Sequence, residues 1–473
     1  MLRCLVADLS RKDFGADRSL KNLKKFLPYI DALEVRADPE NPPSPSQVEE
    51  LCGTGFSMVI LSGLSSEEDI LRLLRPEIAW VDLEEGLSCP TLEKNAAEMG
   101  IGLIRSIAAE EGLPENPGER VRRIAATGAI PRITCGPRSS GEVLELLKIA
   151  RSLRDVKQKI ITGEGLFAFF GRIAPWLFGS MMTFLTQDEE ALESGEIDPH
   201  SLERVYGFSE HCRSTRIYGI IGKPVMHTRS PHLHNRWFTG AGLDAVYLPF
   251  HVDDVEAFMG AAELIGLKGF SVTVPHKHAV IPLLDYVGPE VAAIGSCNTV
   301  VRTERGWEGS NTDFEGFLKP LDSLVPSGNI RSALVIGAGG AARAVVYALV
   351  GRGISVEVVN RTASKAESLA VEMGASWKNI EDVQGAAEKG GYDLVVQTTS
   401  AGMYPDIETD PLPRYEFNGA ETVYDIIYAP EKTIFLERAE KSGAVIIGGK
   451  GMLEAQAEGQ FELFRKVYSL QAE

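Results

Sequence analysis

A chain of 473 residues is too long for one ordinary hydrophobic core, so two or three domains are expected. Its 44% hydrophobic and 24% charged residues are those of a globular protein, which excludes a disordered chain or one embedded in lipid. A formal net charge of −18 disfavours nucleic acid and anionic membranes as partners, although a few local Lys and Arg can still hold a small anionic substrate in a cleft.

Near the start, Arg3, Asp8, Arg11 and Lys12 interrupt any apolar run, so no secretion signal is expected. The most membrane-like stretch, Leu166 to Leu185, is broken by Arg172 and Pro175, so no span is expected either. The six cysteines are scattered without a CxxC pair, which suits reduced thiols in a cytoplasmic protein. Eight short apolar runs follow one another: Leu2–Asp8, Ala32–Arg36, Ser57–Leu61, Ile78–Leu83, Gly102–Ile107, Ile130–Cys135, Lys159–Thr162 and Met182–Leu185. Amphipathic stretches such as Ser19–Tyr29, Ser65–Leu74 and Gly141–Ser152 separate them. Eight strands alternating with helices predict an α/β chain that opens with a (β/α)8 barrel, placed at 1–205, with lean loops.

The polar segment Gln187 to Arg216, with Asp198-Pro199, reads as a linker. A second α/β region follows, expected to divide into a substrate lobe at 214–320, a nucleotide lobe at 321–445 and a returning C-terminal helix at 446–473. Its clearest signal is the strand Ser332–Ile336, running into Gly337-Ala338-Gly339-Gly340-Ala341-Ala342 and then a helix over Arg343–Gly351. This fits the G-x-G-x-x-A turn of a Rossmann dinucleotide site. Gly337 permits the turn, Gly339 lets backbone approach a pyrophosphate, and Ala342 lets helix and strand pack closely. The next strand, Ser355–Val359, ends in Asn360-Arg361-Thr362, where an NAD site would place an acid for the ribose hydroxyl. An amide, a guanidinium and a hydroxyl suit a 2′-phosphate instead, so NADP is the expected cofactor.

Between the linker and that turn come clusters rich in hydroxyls and amides: His227-Thr228-Arg229-Ser230-Pro231, Gly269 to Lys277, Gly295-Ser296-Cys297-Asn298-Thr299 and Gly309-Ser310-Asn311-Thr312-Asp313. They suit a polyhydroxylated, carboxylated ligand. His227, His232 and His234 lack the spacing of a helical metal site, and no metal is expected. In their order, these motifs resemble the shikimate dehydrogenase family from Arg216 to about Ser469. The resemblance implies a two-lobed enzyme that reduces 3-dehydroshikimate to shikimate with NADP. It implies Lys277 and Asp313 as the catalytic pair, and Thr228 and Ser230 as carboxylate-binding hydroxyls. Ser271, Thr273, Asn298 and Gln456 would contact ring hydroxyls, with Tyr428 nearby; the family often has Asn where Ser271 stands. Thr398 would lie beneath the cofactor, and Gly451 and Met452 near its nicotinamide.

The barrel resembles type I 3-dehydroquinate dehydratase, through Glu34 and Arg36 in Glu34-Val35-Arg36 and through Arg172 ahead of Phe178-Gly179-Ser180. Glu68 aligns with a further acidic position. That family needs a Schiff-base lysine and a histidine, where this chain shows Arg132 and Ala108, and no histidine precedes His200. A guanidinium cannot deprotonate to act as the amine nucleophile. The expectation is therefore an NADP-dependent shikimate dehydrogenase carrying a dehydratase-like barrel without dehydratase chemistry. An intact bifunctional enzyme and a quinate/shikimate dehydrogenase are the alternatives within the same class. A nucleotide-sensing regulatory protein is the alternative from another class, and it has no need of Lys277 and Asp313. The expected partner is the small-molecule substrate, with a homo-oligomer left open.

Overall fold

The computed structural model describes residues 1–9, 23–325, 328–383 and 391–470. Lys12, Lys21 and the first part of the expected helix Ser19–Tyr29 lie outside them. The chain divides into two compact units, Met1–Leu267 and Lys268–Glu473.

The first unit opens with strands β1 (Leu2–Asp8), β2 (Ala32–Arg36), β3 (Met58–Ser62), β4 (Ile78–Glu84), β5 (Gly102–Ala109), β6 (Ile130–Cys135), β7 (Ile160–Gly163) and β8 (Met182–Leu185). They form one eight-stranded sheet in the order β7-β6-β5-β4-β3-β2-β1-β8. Its register is parallel wherever neighbours pair, as in β1 with β2 and β1 with β8. Between β7 and β8 the sheet is sewn by fewer bonds. Met181 N donates to Lys159 O (2.9 Å), and the Ser180 hydroxyl accepts from Ile161 N (3.1 Å) while donating to Met182 O (2.8 Å).

Side chains alternate across each strand, so every second residue faces the interior. One interior layer is apolar, holding Cys4, Ala32, Ile60, Ile104, Ile130, Ile160 and Met182. Two residues further along several of the same strands stand Glu34, Ser62, Ser106, Arg132, Thr162 and Phe184, and all of these but Ser106 are buried. The barrel thus has an apolar floor beneath a polar layer toward the C-terminal strand ends, where active groups of such barrels sit.

Strands β9 (Arg216–Gly222) and β10 (Ala245–His251), paired in parallel, belong to this first unit as well. The division at Leu267 therefore falls inside the expected lobe at 214–320. The reason lies in the packing of β10 and the helix after it against the barrel. Phe250 lies 5.0 Å from Phe170 between ring centroids, and Phe167 lies 4.8 Å from His251. Helix Val255–Ile265 packs on helix Ser140–Ser152, where a Cβ at Gly260 would come within 3.1 Å of Leu144. Ser140 joins the two, its N–H donating to the Asp253 carboxylate (2.9 Å) and its Oγ accepting from Asp253 N (3.2 Å).

In the second unit, β11 (Gly269–Val272), β12 (Tyr286–Val287), β13 (Thr299–Thr303) and β14 (Gly306–Ser310) lie in the order β11-β13-β14-β12. A second sheet follows, with β15 (Ser332–Ile336), β16 (Ser355–Asn360), β17 (Ser376–Asn379), β18 (Leu394–Gln397), β19 (Thr422–Asp425) and β20 (Val445–Ile447). Its order, β17-β16-β15-β18-β19-β20, is that of a doubly wound Rossmann sheet. Apolar clusters cover both faces, one around Val345, Val346 and Leu349 and the other around Phe435 and Leu436. Helix Lys450–Leu470 then lies along helix Asp313–Leu324, close enough that a Cβ on Gly316 would come within 2.6 Å of Gln456. Among the described residues, no helix is long and apolar enough to cross a membrane.

Candidate active site

The turn after β11 carries Lys277, and helix Asp313–Leu324 begins with Asp313. Lys277 Nζ lies 2.5 Å from Asp313 Oδ2, with the lysine side chain 15% exposed and the carboxylate 6%. The second carboxylate oxygen, Oδ1, accepts from Asn298 Nδ2 at 2.8 Å. Asn298 is itself fixed, because its Oδ1 accepts from Thr312 N (2.9 Å) and from the Thr299 hydroxyl (2.8 Å). The Asn311 side chain accepts from Asp313 N (2.9 Å) and donates to Ser296 O (2.8 Å). Such a network holds a charged amine in one place on a partly open wall, which is what a proton donor in a cleft requires.

Around this pair the unit gathers most of the expected ring contacts. Gln456 Oε1 lies 3.5 Å from Asn298 Nδ2, and the Thr312 hydroxyl, 3.0 Å from that same nitrogen, donates to Gln456 O (3.0 Å). Ser271 is buried and donates to Gln460, while Thr273 is half-buried. Tyr428, also half-buried, follows the buried Asp425. Burial pushes the Asp425 carboxyl up to about 6, against bonds from Ile427 N (2.9 Å) and the Thr433 hydroxyl (2.7 Å). Thr312, Asn311 and Gln460 escaped the residue-level reading. The first two stood inside a quoted motif, whereas Gln460 left only one trace, an amide at a buried helical position between Ala457 and Phe464.

The glycine-rich turn has the shape a dinucleotide needs. Gly337 has a φ of +117°, and the Thr398 side chain sits where a Cβ would go. Gly339 has open space at its Cβ position and leads helix Gly340–Val350, whose N-terminus has no side-chain cap. Its first N–H groups, including those of Gly340 and Ala341, are therefore left for an anion, while Ala342 is buried against the sheet. A Cβ at Gly340 would meet Lys277 Cδ at 3.1 Å and Ser296 Oγ at 2.9 Å, so the turn adjoins the catalytic candidates. Ala338 is half-buried at the same turn. At the end of β16, Asn360 Nδ2 donates to Thr362 O (3.0 Å) and Arg361 is exposed. Gly451 lies against Pro320, whereas Met452 is buried in the apolar cluster under the sheet.

In the first unit the Thr228 hydroxyl donates to Ser230 Oγ at 3.0 Å. The barrel interior is dominated by Arg132, whose guanidinium bonds Asp82 (2.7 Å) and Glu34 (3.1 Å) and lies 4.1 Å from the centre of the Phe184 ring. Ser62 donates to Glu34 (2.7 Å) and Ser106 to Asp82 (2.5 Å). Burial raises both acids. For Glu34 the guanidiniums of Arg132 and Arg36 and the Ser62 hydroxyl outweigh it, so its carboxyl stays below the ordinary glutamate value. Asp82 lacks Arg36 and feels Glu34, so burial wins and its carboxyl lies above the ordinary aspartate value. Arg36 reaches Glu34 at 3.6 Å from a more exposed position. Arg172 is buried, donates to Phe184 O (2.9 Å), and its Nε has no partner among the described residues. Glu68 is exposed on the outer helix Glu67–Leu73 and takes no part in this network. Asp82 was missed in the sequence because it looked like one polar residue in an apolar strand.

Comparison with known proteins gives three family matches. Residues 220–300 match the shikimate dehydrogenase substrate binding domain, 322–407 match shikimate / quinate 5-dehydrogenase, and 64–212 match type I 3-dehydroquinase. The shikimate dehydrogenase (NADP(+)) of Nostoc sp. is 40% identical over 268 residues, which are 53% of this chain and 91% of that protein. The bifunctional 3-dehydroquinate dehydratase/shikimate dehydrogenase of Arabidopsis thaliana is 33% identical over 362 residues, covering 73% of this chain and 59% of the plant protein. The solved shikimate 5-dehydrogenase of Listeria monocytogenes, in complex with shikimate and NAD, superimposes with a TM-score of 0.50. It is 28% identical and covers 54% of this chain and 93% of its own.

The barrel network predicts the outcome of Arg132→Met. Two buried carboxylates would lose their counter-charge, and breaking such a cluster typically costs about 3–5 kcal/mol. Glu34, whose folded value is depressed, contributes stability above its unfolded value that is lost as pH falls through the folded one. In the variant burial is opposed only by Arg36 and Ser62 at Glu34 and by Ser106 at Asp82, so both acids protonate more readily and the penalty shrinks toward acid pH. Thermal melts at pH 8 and pH 5 measure it, and equal losses at the two would contradict the ion-cluster account.

Proposed function

The chain belongs to the shikimate dehydrogenase family, and on that premise we propose that it reversibly reduces the ring ketone of 3-dehydroshikimate to shikimate with NADP. The observation that carries this reading is the Lys277–Asp313 pair, held at 2.5 Å beside the open first turn of helix Gly340–Val350. NADPH, when bound, supplies the hydride. The chain's own residues do the rest. Reduction turns the ketone oxygen into an alkoxide, and the Lys277 ammonium gives that oxygen its proton. Asp313 keeps the amine aimed, with Asn298 holding the carboxylate from behind. Thr228 and Ser230 take the substrate carboxylate, and Ser271, Thr273, Asn298 and Gln456 its hydroxyls, with Tyr428 beside them. Backbone N–H groups from Gly337 to Ala341 would receive the pyrophosphate. Asn360, Arg361 and Thr362 would receive the 2′-phosphate, with Thr398, Gly451 and Met452 toward the nicotinamide end. Substrate-binding, nucleotide-binding and closing parts are assigned to 214–320, 321–445 and 446–473, in an enzyme working in the cytoplasm.

The barrel at 1–205 is read as a dehydratase fold without its chemistry. What supports this is Arg132 on β6, bonded to Glu34 and Asp82 in the polar layer where an amine nucleophile is needed. Lys159, the lysine nearest a strand of the upper half, precedes β7 at the opposite end and donates to Val156 O (2.8 Å). Glu34, Arg36 and Arg172 remain as a remnant of the site.

Four measurements test these readings. Absorbance assays with shikimate and quinate, each with NADP and with NAD, should show shikimate oxidation by NADP. Lys277→Ala or Asp313→Ala should lower turnover by about 10²–10⁴-fold while NADP binding is nearly kept, and wild-type turnover in both would remove them from the mechanism. Arg361→Ala should erode the preference for NADP through the cofactor's apparent affinity, a loss of a charge-assisted contact. Equal efficiency with both cofactors before mutation would overturn that assignment. For the barrel, borohydride trapping with 3-dehydroquinate followed by mass spectrometry should find no reduced adduct on any lysine of the first 205 residues. An adduct with formation of the enone product would make the chain bifunctional.

A further inference from the structure

The mouth of the barrel holds a cavity that the proposed reaction does not use. Its volume is about 590 Å³, and it lies between the loops after β7 and β8, at the C-terminal end of the strands. A Cβ on Gly195 would come within 2.5 Å of the Gly165 carbonyl carbon, so the two loops touch backbone to backbone. Five acids line the cavity, Glu164, Asp188, Glu190, Glu193 and Glu196, together with one base, Arg172. Arg172 is 7% exposed, so its charge is largely out of water. Its Nη1 donates to Phe184 O (2.9 Å), whereas neither Nε nor Nη2 has a hydrogen-bond partner among the described residues. Glu196 and Glu164 act on the guanidinium through space, yet no carboxylate among the described residues pairs with it. Burial therefore pulls its pKa down, the opposite of Arg132, where two bonded acids hold the guanidinium above its ordinary value. Buried charges in folded proteins are as a rule paired. Arg172 is a cation that calls for an anion, and the cavity is where one can enter.

Neither a plain anion nor a plain cation fits this lining. Five carboxylates against one guanidinium repel a ligand that carries only negative charge. A ligand with only positive charge would leave Arg172 unmatched and bring a second cation beside it. One molecule meets both demands if it carries a carboxylate and an ammonium. The acids that act on Arg172 are Glu164 and Glu196, both half-buried, so the ammonium belongs next to the carboxylate. An α-amino acid has that spacing. We propose that the barrel mouth binds a free α-amino acid with a neutral or basic side chain, its carboxylate on Arg172 and its ammonium on Glu164 and Glu196. Asp188, Glu190 and Glu193 are exposed on the rim, where they disfavour an acidic side chain. All these residues belong to the first unit, and the site does not depend on the dehydrogenase reading.

The test is calorimetry on the full chain near neutral pH and at low salt, with each of the standard L-amino acids in turn. At least one should bind with a Kd of about 1 mM or tighter, and aspartate and glutamate should be the weakest. For the best binder, the N-acetyl derivative lacks the ammonium and the α-amide lacks the carboxylate. Each should bind at least about tenfold more weakly, the scale of one charge-assisted hydrogen bond. Arg172→Met should weaken the amino acid by a similar factor. So should Glu164→Gln combined with Glu196→Gln, which keeps the shape of both side chains and removes their charge. Should Arg172→Met fail to fold, the glutamine double variant and the two derivatives decide. Equal binding of the N-acetyl derivative would make this a plain anion site, and equal binding of the α-amide a plain cation site. Either result overturns the proposal, as does no binding by any amino acid, tightest binding by aspartate or glutamate, or an unchanged affinity in the folded variants.

Discussion

Asp313 has two oxygens and two obligations, and the polar network of the second unit depends on both being met. Oδ2 holds Lys277 and Oδ1 holds Asn298, so the carboxylate cannot turn toward one without leaving the other. Most of the surrounding structure serves that arrangement. Asn311 accepts from the backbone N–H of Asp313, Thr312 pins the Asn298 amide, and helix Lys450–Leu470 comes close enough to reach Asn298 because Gly316 leaves room for Gln456. A small residue on one helix thereby becomes a condition for a polar network on the next.

The two ion networks of this chain show how similar ingredients end in different surroundings. In the second unit one amine meets one carboxylate at a partly open wall, with the lysine side chain 15% exposed. In the barrel one guanidinium is closed between two carboxylates and an aromatic ring, with 5% of Arg132 exposed. An arginine in that position cannot become a neutral nucleophile at any working pH. Its neighbours Ser62 and Ser106 add bonds to the acids, while the buried Thr162 hydroxyl of the same layer has no hydrogen-bond partner among the described residues.

How much of this could be read from sequence depended on whether the signal was periodic or spatial. Apolar runs between polar turns located all eight barrel strands, four of them to the residue (β1, β2, β6 and β8), because a parallel strand buried on both faces is nearly continuous in hydrophobicity. The glycine-rich turn was equally plain, since strand, glycines and helix follow directly in the chain. Partnerships over long separations left no such mark. Asp82 meets an arginine 50 residues away and Gln460 meets a serine 189 residues away, so nothing local names the partner of either. The division at Leu267 was hidden for the same reason, as it follows from packing between Ser140–Ser152 and Val255–Ile265 and leaves no composition shift in the chain.

That packing also bears on why a barrel with a closed interior keeps its fold. The face of helix Ser140–Ser152 that contacts helix Val255–Ile265 is outside the strands, so it is indifferent to what the barrel interior can catalyse. Phe170 and Phe250 meet ring to ring, and Ser140 and Asp253 exchange bonds between their backbones and side chains. Separating them would expose aromatic surface and leave polar groups unmatched, a cost set by burial alone. Substitutions in the polar layer are constrained differently, by charge balance around Arg132. The barrel is therefore held to shape by two independent requirements, one inside the strands and one on its outer side.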